Sequence, residues 1–339
     1  MAAIRKLLSV HHILRNGDLL AATQQRSVKR WVAPTLRELK KRKDRLGPEP
    51  IQKRSSFLEW NYHAEIFAFG KRLKEDFDRT LLQQAFTTRS YIVQEEMKQE
   101  QLGIEDPKLA LTDNQELGKE GMKFMKNYIE IYLRESLPKL PEEGVVAICK
   151  FLMADSMLAS ISKLIGTEDL ILSAEFPVEE STLVQVFCAV VGALLKSSGS
   201  EKTGLFVRDF VVAQLAGRDV SDIWSPEQPL LTLENILEQQ GRAAPEPRLI
   251  GVAGPNTILA AYRVAVYSDR QFLGAGFGES VDTAVEQAAL DALKRLFSVT
   301  ENMKPFSYKI NPDVEMYKAN SNASLEDWGV KHPQNIVNC

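Results

Sequence analysis

The stretch Gln185-Val-Phe-Cys-Ala-Val-Val-Gly-Ala-Leu-Leu-Lys-Ser-Ser-Gly199 decides how this chain is read. Phe187, Val190, Val191, Leu194 and Leu195 recur at i, i+3, i+4, i+7 and i+8, which places them on one apolar helical face. Ala189, Gly192 and Ala193 make a second face of small residues, bare enough for another helix to come close. Such a helix belongs at the centre of an all-α core.

The surrounding chain has the size for that core and for a second one. Its 339 residues suffice for two domains of ordinary size, and 44% hydrophobic with 26% charged residues describes a soluble globular protein. No run of 18 apolar residues offers a membrane span. The three cysteines, Cys149, Cys188 and Cys339, are far apart and lack C-x-x-C spacing. That argues against a disulfide framework or a zinc site, and neither metal nor cofactor is expected. The net charge of −3 hides a segregation, because residues 1–54 hold 14 Lys/Arg against 4 Asp/Glu while the remainder holds 28 against 41. A basic arm on an acidic body concentrates contact with polyanions in the arm.

Within the arm, residues 1–35 set Arg5, Lys6, Arg15, Arg26, Lys29 and Arg30 against a single acid, Asp18. Ile4, Leu7, Leu8, Ile13 and Leu14 can share a helix face, so the segment has the make-up of a mitochondrial presequence and implies the mitochondrial matrix. Residues 36–56 follow as a basic extension with too few apolar residues to bury a core. Arg37, Lys40, Lys41, Arg42, Lys43, Arg45, Lys53 and Arg54 are its candidate contacts to RNA phosphates.

Beyond the arm, helical periodicity runs from Trp60 to Lys74, and Leu81-Leu-Gln-Gln-Ala-Phe-Thr-Thr-Arg-Ser-Tyr91 comes next. That run resembles the opening helix of ribonuclease III domains, Leu-Leu-x-x-Ala-Phe-Thr-His-Arg-Ser-Tyr, with Thr88 standing where the pattern has His. Asn114, Leu117 and Gly121 keep their places in the signature Asn-Glu-Arg-Leu-Glu-Phe-Leu-Gly-Asp-Ala-Val-Leu of the same family. Ser156–Gly166 and Leu170–Ser173 resemble its next helix and loop. The opening stretch matches its helix Asp-Val-Phe-Glu-Ala-Leu-Ile-Gly-Ala-Ile-Tyr-Leu-Asp-Ser-Gly through Val186, Phe187, Ala189, Gly192, Ala193, Ser198 and Gly199. Four patches in the family's order imply an all-α ribonuclease-III-like domain over residues 57–225. Helical spacing continues through Gly204–Leu215.

Pro226 and Pro229 mark a boundary. Past it, Leu230–Gln240 reads as a helix, and Ala261–Tyr267 alternates with period two as a strand. Phe272–Gly278 reads as a glycine-rich strand and turn, with Gly274, Gly276 and Gly278 assigned to the turn. Ser280 is placed as N-cap of a closing helix that buries Ala284, Ala288, Ala289, Ala292, Leu293 and Leu296. This α-β-β-β-α order over 228–300 resembles the double-stranded-RNA-binding domain, an α+β fold. Two of that family's RNA-gripping positions differ: its loop histidine is Thr257, and its lysine-rich helix start is Ser280-Val-Asp-Thr-Ala-Val285. Residues 301–339 show no periodicity and read as an irregular tail.

Ribonuclease III hydrolysis needs clustered carboxylates to hold magnesium. The resemblance puts those positions on Gln115, Gly118, Met122, Gln185 and Cys188, none of them an acid. Glu116 and Glu120 lie one and two residues out of register, about 100° and about 200° round a helix from the site. Serine-histidine chemistry lacks a nucleophile motif, and His63 reads as a structural histidine. Taken together, the chain resembles the ribonuclease-III-like proteins of the mitochondrial large ribosomal subunit. The resemblance implies a structural, non-enzymatic partner of large-subunit rRNA and neighbouring ribosomal proteins, able to pair with itself or with another protein of this fold. The rival expectations are an active mitochondrial double-stranded-RNA endonuclease and a ribosome assembly factor.

Overall fold

The structure is a computed structural model and describes residues 34–47, 52–103, 109, 111–255, 257–299, 309, 310, 312 and 321–333. It separates into two compact units, Met1–Lys53 and Arg54–Cys339. The presequence expected over 1–35 lies, apart from its last two residues, outside the described residues.

In the first unit, residues 34–46 form a helix, α1, exposed at every position. The solvated extension expected here is therefore solvated but regular in its first part. Leu, Arg, Lys and Glu are strong helix formers, Pro34 suits a first helical position, and Gly47 stops the helix at φ +78°.

In the second unit, the helices are α2 (Tyr62–Leu73), α3 (Arg79–Phe86), α4 (Arg89–Gln101), α5 (Gln115–Ser136), α6 (Glu142–Leu152), α7 (Asp155–Ile165) and α8 (Glu180–Phe210). Between Leu183 and Leu194 every residue of α8 except Gln185 is buried, so this helix is enclosed all round. Over Glu180–Leu215 the chain is long and apolar enough to cross a bilayer, but here it is the helical core of the domain.

Helix α5 crosses α8 at near backbone contact. A Cβ added to Gly121 would collide with the Cys188 carbonyl oxygen and lie 2.7 Å from the Gly192 nitrogen. One added to Gly192 would collide with the Leu117 carbonyl oxygen. The small-residue face read from the sequence is thus used as expected. At Gly199, φ +86° bends α8 before residues 200–210 continue. Just before the bend, Ser198 Oγ donates to the Asp76 carbonyl at 2.6 Å and Ser197 Oγ accepts from the Asp78 N–H at 2.9 Å. The bend is thereby tied to the α2–α3 loop.

The run Leu81–Tyr91, expected as one helix, is two. Thr87 and Thr88 break it, with Thr88 as N-cap of α4 and its hydroxyl donating to the Leu172 carbonyl at 2.7 Å. Thr87 pairs with Leu172 as an isolated parallel bridge. A short helix, α9 (Val220–Ile223), ends this part of the chain.

The remainder runs α10 (Pro229–Gln239), β1 (Glu246–Ala253), β2 (Ala261–Ser268), β3 (Gln271–Gly278) and α11 (Val281–Leu296), an antiparallel sheet in the order β1-β2-β3. All six positions predicted for the buried face of α11 are buried, and Ser280 caps it in a box with Thr283. The assignment of Gly274, Gly276 and Gly278 to a turn is corrected. They lie within β3 and let α11 approach: a Cβ on Gly274 would sit 2.7 Å from the Ala288 oxygen, and one on Gly276 2.7 Å from the Ala284 oxygen.

Residues 321–333, from the aperiodic tail, are folded against both parts of this unit. Asn322 Nδ2 donates to the Leu137 and Leu140 carbonyls at 3.0 and 2.8 Å. Trp328 opens a short helix, α12 (Trp328–Lys331), and is fully buried with its ring 5.3 Å from that of Phe297. Its Nε1 donates to the Lys139 carbonyl at 2.7 Å, and the side chains of Gln239, the last residue of α10, and Gln240 after it donate to the Glu326 and His332 carbonyls.

Two stability measurements test this packing. Gly192→Ala should lose about 1–3 kcal/mol in denaturant titrations, because its methyl must push two backbones apart. Gly118→Ala, whose methyl meets only an ordinary 3.5 Å contact, should be neutral or gain up to about 1 kcal/mol from helix propensity. Trp328→Ala should cost about 3–5 kcal/mol by the same titration; a loss below about 1 kcal/mol would show that the tail adds nothing to the fold.

Candidate functional site

Gln115, Gly118 and Met122 stand at i, i+3 and i+7 on α5, and Gln185 and Cys188 at i and i+3 on α8. The glycine crossing brings the two stripes together, so that a Cβ on Gly118 would lie 3.5 Å from the Gln185 oxygen and 3.8 Å from its Cγ. Gln115 is exposed, Met122 is 44% exposed, and Cys188 is sealed in the core. Gly118 and Gln185 are thus in contact, while Gln115 and Met122 lie at the surface of α5 and Cys188 in the interior.

The polar link at its centre is one that sequence reading missed. Gln185 Nε2 donates to Asn114 Oδ1 at 2.9 Å, and Asn114 Nδ2 donates to the Ala85 carbonyl at 3.1 Å. Asn114 is fully buried and stands at the N-cap of α5, yet its side chain makes no capping bond. It joins α3 and α8 instead. The available signal was an amide directly ahead of α5 paired with another amide, Gln185, in the central helix.

This donor set does not suit magnesium. A hard dication seeks several charged oxygens, whereas the region offers the amides of Asn114 and Gln185, already bonded to each other, the exposed amide of Gln115, a glycine, a thioether and a buried thiol. Among the described residues no three of His, Cys, Asp and Glu stand close enough to hold a metal. The out-of-register acids are elsewhere engaged or turned outward: Glu120 pairs with Lys196 at 2.7 Å and Glu116 is exposed. His63 is exposed on α2, not a structural histidine of the core.

Six of the predicted phosphate contacts, Arg37, Lys40, Lys41, Arg42, Lys43 and Arg45, share α1 and are exposed there. Lys41 also pairs with Glu38 at 3.1 Å. At about 100° per residue, Arg37, Lys40, Lys41 and Arg45 gather on one side and Leu36, Leu39 and Leu46 on the other. Lys53 and Arg54 lie outside that helix. Arg54 is held within the second unit, 3.0 Å from Asp169 and with its guanidinium 5.4 Å from the centre of the Trp60 ring. In the sheet domain, Thr257 closes its own loop by donating to the Gly254 carbonyl at 2.7 Å, while Ile258 and Leu259 beside it are fully exposed. Asp282 occupies the first turn of α11.

Burial pushes the Cys188 thiol up to about 12, with the Asp155 carboxylate adding to the effect, and pushes Cys149 up to about 11. Unfolded thiols release their protons near 9, so the native state holds protons that the unfolded chain gives up. Stability from this source is full below about pH 9 and should fall as pH rises through 11 and 12. Peptide mapping after thiol labelling at pH 8 should find Cys149 and Cys188 unmodified until denaturant is added. A Cys149→Ala/Cys188→Ala variant should show a flatter alkaline decline in its denaturation midpoint.

Comparisons with known proteins identify both domains. The family described as "Large ribosomal subunit protein mL44, endonuclease domain" matches residues 61–194, and the "MRPL44 dsRNA-binding domain" family matches residues 224–329. Large ribosomal subunit protein mL44 of Caenorhabditis elegans is 34% identical over 278 residues, covering 80% of this chain and 68% of that protein. Ribonuclease 3 of Symbiobacterium thermophilum is 30% identical over 172 residues, covering 49% of this chain and 71% of the enzyme. Among solved structures, the nuclease domain of ribonuclease III from Campylobacter jejuni covers 45% of this chain and 97% of its own at 18% identity and a TM-score of 0.37. A helical ribonuclease-III-like domain is thus followed by a double-stranded-RNA-binding-like domain, and the chain belongs to the mL44 family of large ribosomal subunit proteins.

Proposed function

We propose that this protein is a structural component of the mitochondrial large ribosomal subunit, working in the matrix and holding ribosomal RNA and neighbouring ribosomal proteins without cleaving RNA. The observation that carries the reading is the neutral Asn114–Gln185 pair, in a region where the resemblance to ribonuclease III calls for carboxylates. It stands in a chain 34% identical to a large-subunit protein. Two amides satisfy each other without a cation, so the crossing of α5 and α8 serves as architecture. The division into 57–225 and 228–300, the role of 1–35 as presequence and pairing with a second protein of this fold belong to the same reading. Helix α1, with Lys53 and Arg54 after it, supplies the phosphate contacts; Arg54 also pairs with Asp169.

Sedimentation of a mitochondrial lysate at high salt tests the assignment. The protein should travel with the large subunit in stoichiometric amount; migration near the top of the gradient would point to an assembly factor or a free enzyme. Purified protein with magnesium and a long RNA duplex should leave the duplex intact. Cleavage abolished by Glu116→Gln or Glu120→Gln would identify an active endonuclease.

A further inference from the structure

The sheet of the second domain has one face against α11, reached through Gly274, Gly276 and Gly278. Side chains alternate along a strand, so the register places Arg263 with Phe277, and Ala265 with Ala275 and Arg248, on the opposite face. There the Arg263 guanidinium lies 5.1 Å from the centre of the Phe277 ring, and that of Arg248 lies 5.4 Å from the centre of the Tyr267 ring. Phe277 is 64% exposed and Arg248 and Arg263 are exposed. Between the two stacks, Gly251 opposite Arg263 and the Ala265–Ala275 pair carry small side chains or none, with Ala265 covered by its neighbours and Ala275 half-buried. Glu246 balances Arg248 at 2.7 Å, whereas Arg263 has no acidic partner among the described residues.

We propose that this face binds single-stranded RNA, with unpaired bases stacking on the Arg263–Phe277 and Arg248–Tyr267 pairs. The inference rests on the reading that the protein binds RNA and names the form of RNA that this domain takes. A duplex keeps its bases stacked inside and offers mainly phosphates and 2′-hydroxyls, which call for the lysines and loop histidine that Val281, Asp282, Val285 and Thr257 stand in place of. Unpaired bases offer flat faces, which stack on aromatic rings and on guanidinium planes. The two stacks are four residues apart on β2, about 13 Å, the scale on which sheet platforms seat two or three bases. Arg263 adds charge for the phosphates, while that of Arg248 is shared with Glu246.

The test measures anisotropy of a labelled, unstructured RNA strand and of the corresponding duplex on the full chain. Phe277→Ala removes a ring, and Arg263→Lys keeps the charge while removing the stacking plane. Each should weaken single-strand binding roughly five- to a hundred-fold and leave duplex binding unchanged. Both side chains are exposed, so thermal melting should match the parent. Unchanged single-strand affinity in both variants, or equal losses on strand and duplex, would overturn the proposal and leave the ribosomal reading standing. A parent protein that binds neither form would overturn both.

Discussion

The contact between α5 and α8 at Gly121 and Gly192 is the constraint from which most of the helical domain follows. Helices usually pack with axes about 8–10 Å apart, separated by their side chains. Here a single methyl on either glycine would strike the other helix's backbone, so two main chains serve as each other's packing surface. Close approach fixes both the height of the crossing and the rotation of each helix, because only one turn of each is bare. The remaining sides of α8 are then free to bury Phe187, Val190, Val191 and Leu194 against the surrounding helices.

That constraint separates frame from chemistry. Gln115, Gly118, Met122, Gln185 and Cys188 are positioned by the crossing; Gln185 adds a hydrogen bond to Asn114 and Cys188 packs in the core, while Gln115 and Met122 lie at the surface. Carboxylates crowded there would repel one another and need a bound cation to stay charged. The amides present need none: Gln185 donates to Asn114, and Asn114 passes the link to Ala85 on α3. This neutral, hydrogen-bonded group links the start of α5 to α3 and α8. Leaving one amide without the other would cost the desolvation of a buried polar atom.

What could be read from sequence was whatever repeats with a helix or strand. The buried face of α11 was legible at all six positions because one helix face meets one sheet, and the small-residue face of α8 was legible for the same reason. Structure that depends on a single distant partner was not. Trp328 sits in an aperiodic segment, and its pocket is made by Phe297 and Lys139 from other parts of the chain. Asn114 looked like a register mark because its second partner lies 71 residues away. The glycines of β3 were assigned to a turn because local sequence does not distinguish a glycine that bends from one that another helix leans on. Helix α1 escaped notice for the opposite reason: it buries nothing, so its signal was propensity and punctuation alone.

The tail gives the second unit its coherence. Asn322 and Trp328 bond the carbonyls of the α5–α6 connection, while Gln239 and Gln240 at the end of α10 bond the tail's own carbonyls. Lys294 of α11 adds a bridge to Asp219, at the start of α9, at 3.1 Å. Two domains that met through a linker alone would each present RNA or protein surfaces at variable angles, and binding both at once would carry the entropy of fixing that angle. With the strap in place that cost is met during folding. A body of this sort, acidic overall, acts on a polyanion through where its exposed cations and rings are held, not through the sum of its charge.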